Sequence, residues 1–308
     1  MENLILIDAV DDWMVKYKRK SVKPSTYDRL VVSRDMMARY SVSSIPIDIL
    51  TSDDIQDYLN DLVENGYALS TIKKQYHLLS AFIEHANLKG LIRKPVHKGV
   101  SLPAESSVKK HRIDICAYTR PEQQKLLKVL ERADSPAYAA AILMMETGMR
   151  VGEVLALGWS DIDWRRRAIR IHKTVVRISE AKRSYIQDGA KSYASNRLIP
   201  LSKRAYGLLE TLREFDLSDD GFVFHDERGN HLSYETLRWW IHKACDEAGV
   251  PYYGQHVFRH TFATNCYENG CDVKQLSKLL GHSDVTITYN VYIHLFGDAL
   301  EELRSVVG

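Results

Sequence analysis

Three short segments carry the residue types needed for chemistry at phosphorus. The first is Thr147-Gly-Met-Arg-Val-Gly-Glu153, where Arg150 and Glu153 stand one helical turn apart after an apolar run. Taken alone, this reads equally well as an ordinary ion pair at a helix end. The second, Gln255-His-Val-Phe-Arg-His-Thr-Phe-Ala-Thr264, sets His256 and Arg259 at i and i+3, so both share one helix face and can address a single anion. The third, Gly281-His-Ser-Asp-Val-Thr-Ile-Thr-Tyr-Asn-Val-Tyr292, places His282 behind a Gly-ended helix and Tyr292 ten residues later. Two guanidiniums can brace non-bridging oxygens and offset the charge that builds at phosphorus. Imidazoles handle protons near neutral pH, and a tyrosine hydroxyl can attack phosphorus to give a covalent intermediate. No cluster of carboxylates suited to Mg²⁺ accompanies them. The combined expectation is phosphodiester transfer without metal or cofactor.

Other chemistries fail on spacing. His256 and His260 stand four apart, but Val257 occupies the place of the glutamate in HExxH. Gly148 and Gly152 do not build a phosphate loop of the GxxxxGK[ST] type, and GxSxG is absent. His172 and His242 read as histidines without a role. The four cysteines, Cys116, Cys245, Cys266 and Cys271, form no CxxC pair and read as reduced thiols.

Elements able to hold these residues follow from periodicity. Val10–Lys20 reads as an amphipathic helix with Val10, Trp13, Met14 and Tyr17 on one side. Ser25–Tyr40 follows Pro24, Thr51 with Asp54 starts a third helix, and Ser70 opens a fourth that runs towards Gly90. Four such helices make a bundle. Leu102–Lys110 is polar, contains Pro103 and is the best linker. Thr119 and Glu122 have capping-box spacing, with Pro121 in the first turn. Helices over Ala137–Glu146 and Val151–Leu157 come next. Alternation over Ala168–Ile178 and at Arg197–Leu201 marks two strands, with a polar hairpin loop between them. Further helices cover Lys203–Phe215, Tyr234–Ala248, Phe258–Glu268, Val273–Leu280 and Ala299–Val307.

The 308 residues carry 42 Lys+Arg against 40 Asp+Glu and are 45% hydrophobic. Such a chain can bury two cores, and a net charge of +2 neither requires nor forbids nucleic acid. The longest apolar run, Ala137–Met145, falls far short of the ~20 residues that span a bilayer. Acids stand near the N-terminus where a signal peptide has basic residues. The expectation is a cytoplasmic protein without a membrane partner.

These segments resemble the tyrosine recombinases, the phage-integrase family of site-specific DNA recombinases. Thr147–Asp163 is similar to the segment that holds the family's first arginine, including Leu157, Trp159 and Asp161. Gln255–Thr264 is similar to its HxxR segment, and Leu279–His294 to the segment from the second histidine to the nucleophile. Gly189–Leu201 resembles the hairpin with the family's lysine, ahead of a strand ending Ile-Pro-Leu. The resemblance implies that Arg150 and Arg259 clamp the scissile phosphate and that Lys191 protonates the leaving 5′-oxygen. It also implies that His256 assists proton transfer, His282 hydrogen-bonds the phosphate, and Glu153 supports the site from behind. Tyr292 is the implied nucleophile, giving a 3′-phosphotyrosyl enzyme. Tyr289, three residues earlier, is the alternative, but Ile293-His294 after Tyr292 matches the family's Y-x-H ending. Lys182 is the rival of Lys191.

The implied fold is mainly α with a small β-sheet. It comprises a helical, SAM-like core-binding domain over 1–102, a linker over 103–111 and an α+β catalytic domain over 112–308. The short stretch before the first helix leaves no room for an arm-binding domain. The implied partners are duplex recombination sites, gripped by the two domains as a C-shaped clamp, and the chain itself in a tetrameric synapse. Lys16, Lys18, Arg19, Lys20, Lys23, Lys73 and Lys74 are candidate phosphate contacts, though each also reads as a solvated helix face. A tail helix at Ala299–Val307 is expected to dock on a neighbouring protomer. A type IB topoisomerase would share the chemistry but not need such a tail. A non-catalytic regulator would have lost catalytic positions that are all filled here.

Overall fold

A computed structural model describes residues 4–108, 117–132, 135–178, 183–189, 196–216 and 221–292. The chain divides into two compact units, Met1–Arg112 with Arg177–Arg183, and Ile113–Val176 with Ser184–Gly308.

The first unit is built on four α-helices: α1 Leu6–Trp13, α2 Pro24–Met37, α3 Ser52–Glu64 and α4 Leu69–Leu88. Their apolar faces meet in one core that includes Leu6, Val10, Trp13, Ile55, Leu59, Leu79 and Phe82, with Trp13 edge-on to Phe82 at 5.9 Å. The capping box at α3 is made as expected. Thr51 Oγ1 accepts from the Asp54 backbone N–H at 3.2 Å, and Asp54 Oδ2 accepts from the Thr51 N–H at 2.8 Å. One expectation shifts. The first helix begins at Leu6, four residues early, and opens into a wide turn over Met14–Lys18 in which the Arg19 N–H reaches Met14 O at 2.9 Å. The extra residue in that turn changes the helical phase. Trp13 and Met14 stay buried, but Tyr17 swings out, 45% exposed, onto the ring of His85 at 4.2 Å.

The second unit is organised around α6, Pro136–Thr147, whose Ala137–Met145 stretch is buried on every side. A helix apolar all round belongs inside a domain, and α6 packs against α5 Arg120–Leu130, α8 Lys203–Phe215, α9 Tyr234–Ala248 and α10 Val257–Glu268. Between α6 and α8 come the short α7, Val151–Leu155, and strands β1 Ile162–Asp163, β2 Ala168–Ile171, β3 Lys173–Ile178, β4 Arg183–Asp188 and β5 Arg197–Pro200. Strands β1, β2 and β5 form an antiparallel sheet in that order, with Ile162 opposite Ile169 and Ile171 opposite Arg197. Strands β3 and β4 form a separate ribbon. The chain then continues into α11 Val273–Leu280 and α12 Val285–Tyr292.

Three elements differ from the sequence reading. Strand β4 lies in what reads as a hairpin loop, because a two-stranded ribbon pairs through its backbone and needs no apolar face. Strand β1 is only two residues long and leaves no periodicity to read. Periodicity assigns no element to 285–292, where the run Val-Thr-Ile-Thr is β-branched, yet this segment forms α12. Asp284 Oδ1 accepts the Thr286 N–H at 2.8 Å to start the helix, and Thr288 is fully buried. The expected tail helix at Ala299–Val307 lies outside the described residues. No helix among the described residues is long and apolar enough to cross a membrane.

Candidate active site

Helix α6 ends at Gly148, whose φ of +64° is a left-handed conformation that glycine adopts without strain. A side chain there would also collide with Phe262, since a Cβ would lie 2.4 Å from Cδ1 of that ring. The turn delivers Arg150 to the start of α7. Gly152 follows, packed so closely that a Cβ would come within 2.5 Å of both Thr174 Oγ1 and Tyr234 Oη. Only then can Glu153 fold back. Its Oε2 accepts the Arg150 backbone N–H at 2.9 Å, and its Oε1 takes Arg150 Nη1 at 3.0 Å. The helix-end pair is present, but it is one part of a larger network.

The residue that sequence reasoning missed is Arg197. Strand β5 alternates buried and exposed, which puts Arg197 inward with Ile199. There its guanidinium grips Glu153 with two bonds, Nη1 to Oε1 at 3.0 Å and Nη2 to Oε2 at 2.8 Å. Period-two spacing from Ile199 was the available signal, because an arginine on a core face needs a carboxylate. Burial pushes the Glu153 carboxyl upward, but the bonds and charge of Arg197, joined by Arg150, outweigh it and hold the group below the ordinary carboxylate range.

Helix α10 supplies the second pair. His256 precedes its first turn with its surface still open. Partial loss of hydration, with Arg259 and Arg150 nearby, lowers its proton affinity. Arg259 is only 5% exposed and donates to Gly148 O at 2.9 Å, Leu280 O at 2.6 Å and His282 Nε2 at 2.9 Å. A guanidinium has no lone pair to offer, so His282 Nε2 is the acceptor. The ring proton therefore sits on Nδ1 and is donated to Thr288 Oγ1 at 2.7 Å. Desolvation, then the charges of Arg259, Arg150 and Arg197, press the His282 pKa down to about 4.

One geometric fact unites the site. Three successive carbonyls at the C-terminal end of α11 accept from three different arginines. Leu279 O takes Arg197 Nε at 2.7 Å, Leu280 O takes Arg259, and Gly281 O takes Arg150 Nη2 at 3.3 Å. Terminal carbonyls have no partners within their helix and form its negative pole, so cations gather there. Arg150, Glu153, Arg259 and His282 are thereby brought together, with His256 within electrostatic reach. The Tyr292 backbone ends α12, but its side chain, like Lys191 and Lys182, lies outside what is described. Tyr289 is 47% exposed on α12. Of the candidate phosphate contacts in the first unit, Lys16 pairs with Asp12 at 2.9 Å and Lys18 lies over the Trp13 ring at 4.8 Å. Arg19, Lys20, Lys23, Lys73 and Lys74 are exposed. Among the described residues no three His, Cys, Asp or Glu side chains are grouped as metal ligands.

Comparison with known proteins agrees with this geometry. The phage integrase family profile matches residues 118–298. A XerC-like tyrosine recombinase of Caldanaerobacter subterraneus is 28% identical over 96% of this chain and 80% of its own length. The integrase of Staphylococcus phage L54a is 24% identical over 99% of this chain and 93% of its own. Among solved structures, the Tn1549 transposon integrase in complex with transposon right end DNA has the same fold, with a TM-score of 0.80 at 20% identity over 99% of this chain and 100% of that one. A lambda integrase tetramer bound to a Holliday junction aligns with a TM-score of 0.68 at 20% identity, over 94% of this chain and 78% of that one. With more than half of its length matched, this chain belongs to the phage integrase family, the tyrosine recombinases, which are site-specific enzymes that cut and rejoin DNA.

Proposed function

We propose that the chain exchanges strands between duplex DNA sites through a transient 3′-phosphotyrosyl bond to Tyr292. The observation that carries this reading is the convergence of Arg150, Arg259 and His282 on one end of α11, immediately ahead of the helix that ends in Tyr292. The tyrosine oxygen attacks phosphorus, the P–O5′ bond breaks, and Lys191 gives the departing 5′-oxygen its proton. His256 assists the proton transfer. Arg150 and Arg259 hold the non-bridging oxygens. The negative phosphate offsets part of the positive charge that Arg259, Arg150 and Arg197 place around His282, the residue taken to hydrogen-bond the phosphate. Bond energy is stored in the ester, and the reverse attack by a 5′-hydroxyl rejoins DNA without a nucleotide cofactor.

The division into a core-binding domain over 1–102, a linker and a catalytic domain from 112 is part of the same proposal. So are four protomers pairing two sites, the tail docking in trans, and a cytoplasmic place of action. Incubation with a nicked suicide duplex tests the chemistry. The wild type should accumulate a covalent protein–DNA adduct and, with two sites, exchanged products. Tyr292→Phe should bind DNA without forming the adduct, and Tyr289→Phe should still form it. Relaxation without exchange would indicate a topoisomerase, and a band shift alone would indicate a regulator.

A further inference from the structure

Among the described residues, one carboxylate, that of Glu153, faces two guanidiniums. The two arginines are unequal partners. Arg197 makes both of its bonds to Glu153 head-on, and its side chain is 6% exposed, which leaves no surface for DNA. The Arg150 guanidinium reaches only Oε1, its contact to Gly281 O is a long 3.3 Å, and the side chain is 36% exposed. A carboxylate as buried as Glu153 must be neutralised by something. Without Arg197, the guanidinium that remains beside it among the described residues is that of Arg150.

We propose that Arg197 is a positioning residue for DNA cleavage: it neutralises Glu153 so that Arg150 keeps its own charge for the scissile phosphate. Its Nε also fixes Leu279 O, the first of the three carbonyls that set the end of α11 and hence His282. The two duties are separable. Charge balance acts through Arg150, whereas carbonyl pinning acts through the backbone. A guanidinium fits both, because its planar fork spans the carboxylate while Nε points elsewhere. The inference rests on reading Arg150 as a phosphate clamp.

The test uses the full chain, a nicked suicide duplex at saturating concentration, and the rate of adduct formation, with duplex binding and thermal unfolding followed in parallel. Arg197→Met should bind the duplex as the wild type does but form adduct about tenfold more slowly or worse, as expected when a charge clamp is weakened. Adding Glu153→Gln to Arg197→Met removes the uncompensated carboxylate and should recover at least half of the loss on a logarithmic scale. A merely structural role would predict a further loss from the second substitution. Arg197→Lys retains the charge but loses the fork and the Nε bond to Leu279 O, so its rate should fall between those of the wild type and Arg197→Met. If Arg197→Met does not fold, a folded Arg197→Lys protein decides the matter: adding Glu153→Gln to it should recover part of its loss, and no recovery overturns the proposal. So does a double variant no faster than Arg197→Met, or Arg197→Met at the wild-type rate. A wild type that forms no adduct overturns the phosphotyrosyl reading and this inference with it. Adduct in the wild type with unchanged Arg197→Met overturns this inference alone.

Discussion

Two ion pairs of nearly equal length occupy very different surroundings. Lys16 and Asp12 in the first unit meet at 2.9 Å with side chains 61% and 58% exposed, while Arg197 and Glu153 in the second meet at 2.8 Å with 6% each. On the surface, water solvates both partners almost as well apart as together, so such a pair holds little and is readily given up. Inside, neither partner can be left alone without a large desolvation cost. The two units therefore use charge differently. The first displays basic side chains that can exchange a carboxylate for a phosphate. The second locks its arginines in a network where each position depends on the others.

Removing a carboxylate from each pair gives the largest contrast. Glu153→Ala leaves Arg197 and Arg150 crowded together without their counter-ion and should destabilise the second unit by about 3–5 kcal/mol. Asp12→Ala should leave thermal unfolding unchanged. Equal losses in the two melting curves would break the comparison.

Acid should act next, and on the second unit more than the first. The folded-state pKa of His282 lies at about 4, below the usual 6.5, so folding favours its neutral form. That stability is complete above about pH 6.5 and is lost as pH falls towards 4, by at most about 3 kcal/mol. His256 and Glu153 shift in directions that add to the loss. A thermal midpoint that is flat between pH 7 and 4, or that falls equally in His282→Gln, would refute this.

The smallest effect belongs to the exposed pair. If Lys16 touches a phosphate, Lys16→Ala should weaken binding to all duplexes alike and lower the slope of log affinity against log salt by about 1. An unchanged slope would return Lys16 to the role of a solvated helix face.

Local signals carried much of this architecture. Helices α9 and α11 lie where periodicity puts them, α11 with its Gly-marked end, and both capping boxes formed because each involves residues three apart. Family resemblance named Arg150, Arg259 and His282, and the fold brings them together. What stayed hidden is long-range. Arg197 meets Glu153 across 44 positions, and Arg150 meets Gly281 across 131. No window of neighbouring residues contains such a contact. Helix α12 was obscured for the opposite reason: its β-branched composition points to a strand, and the buried Thr288 bonded to His282 overrides that preference.

The close fit of Phe262 against Gly148 matters to anyone recombining the gene itself. The ring fills the space that a side chain at 148 would need, while Arg259, three residues before Phe262, is anchored on the Gly148 carbonyl. Two sequence blocks more than a hundred residues apart thus behave as one heritable module. A hybrid enzyme that takes the block around 148 from one parent and the block around 262 from another inherits an interface that neither parent selected. Crossovers placed before 148 or after 262, or libraries that vary residues 148 and 262 together, keep the module whole.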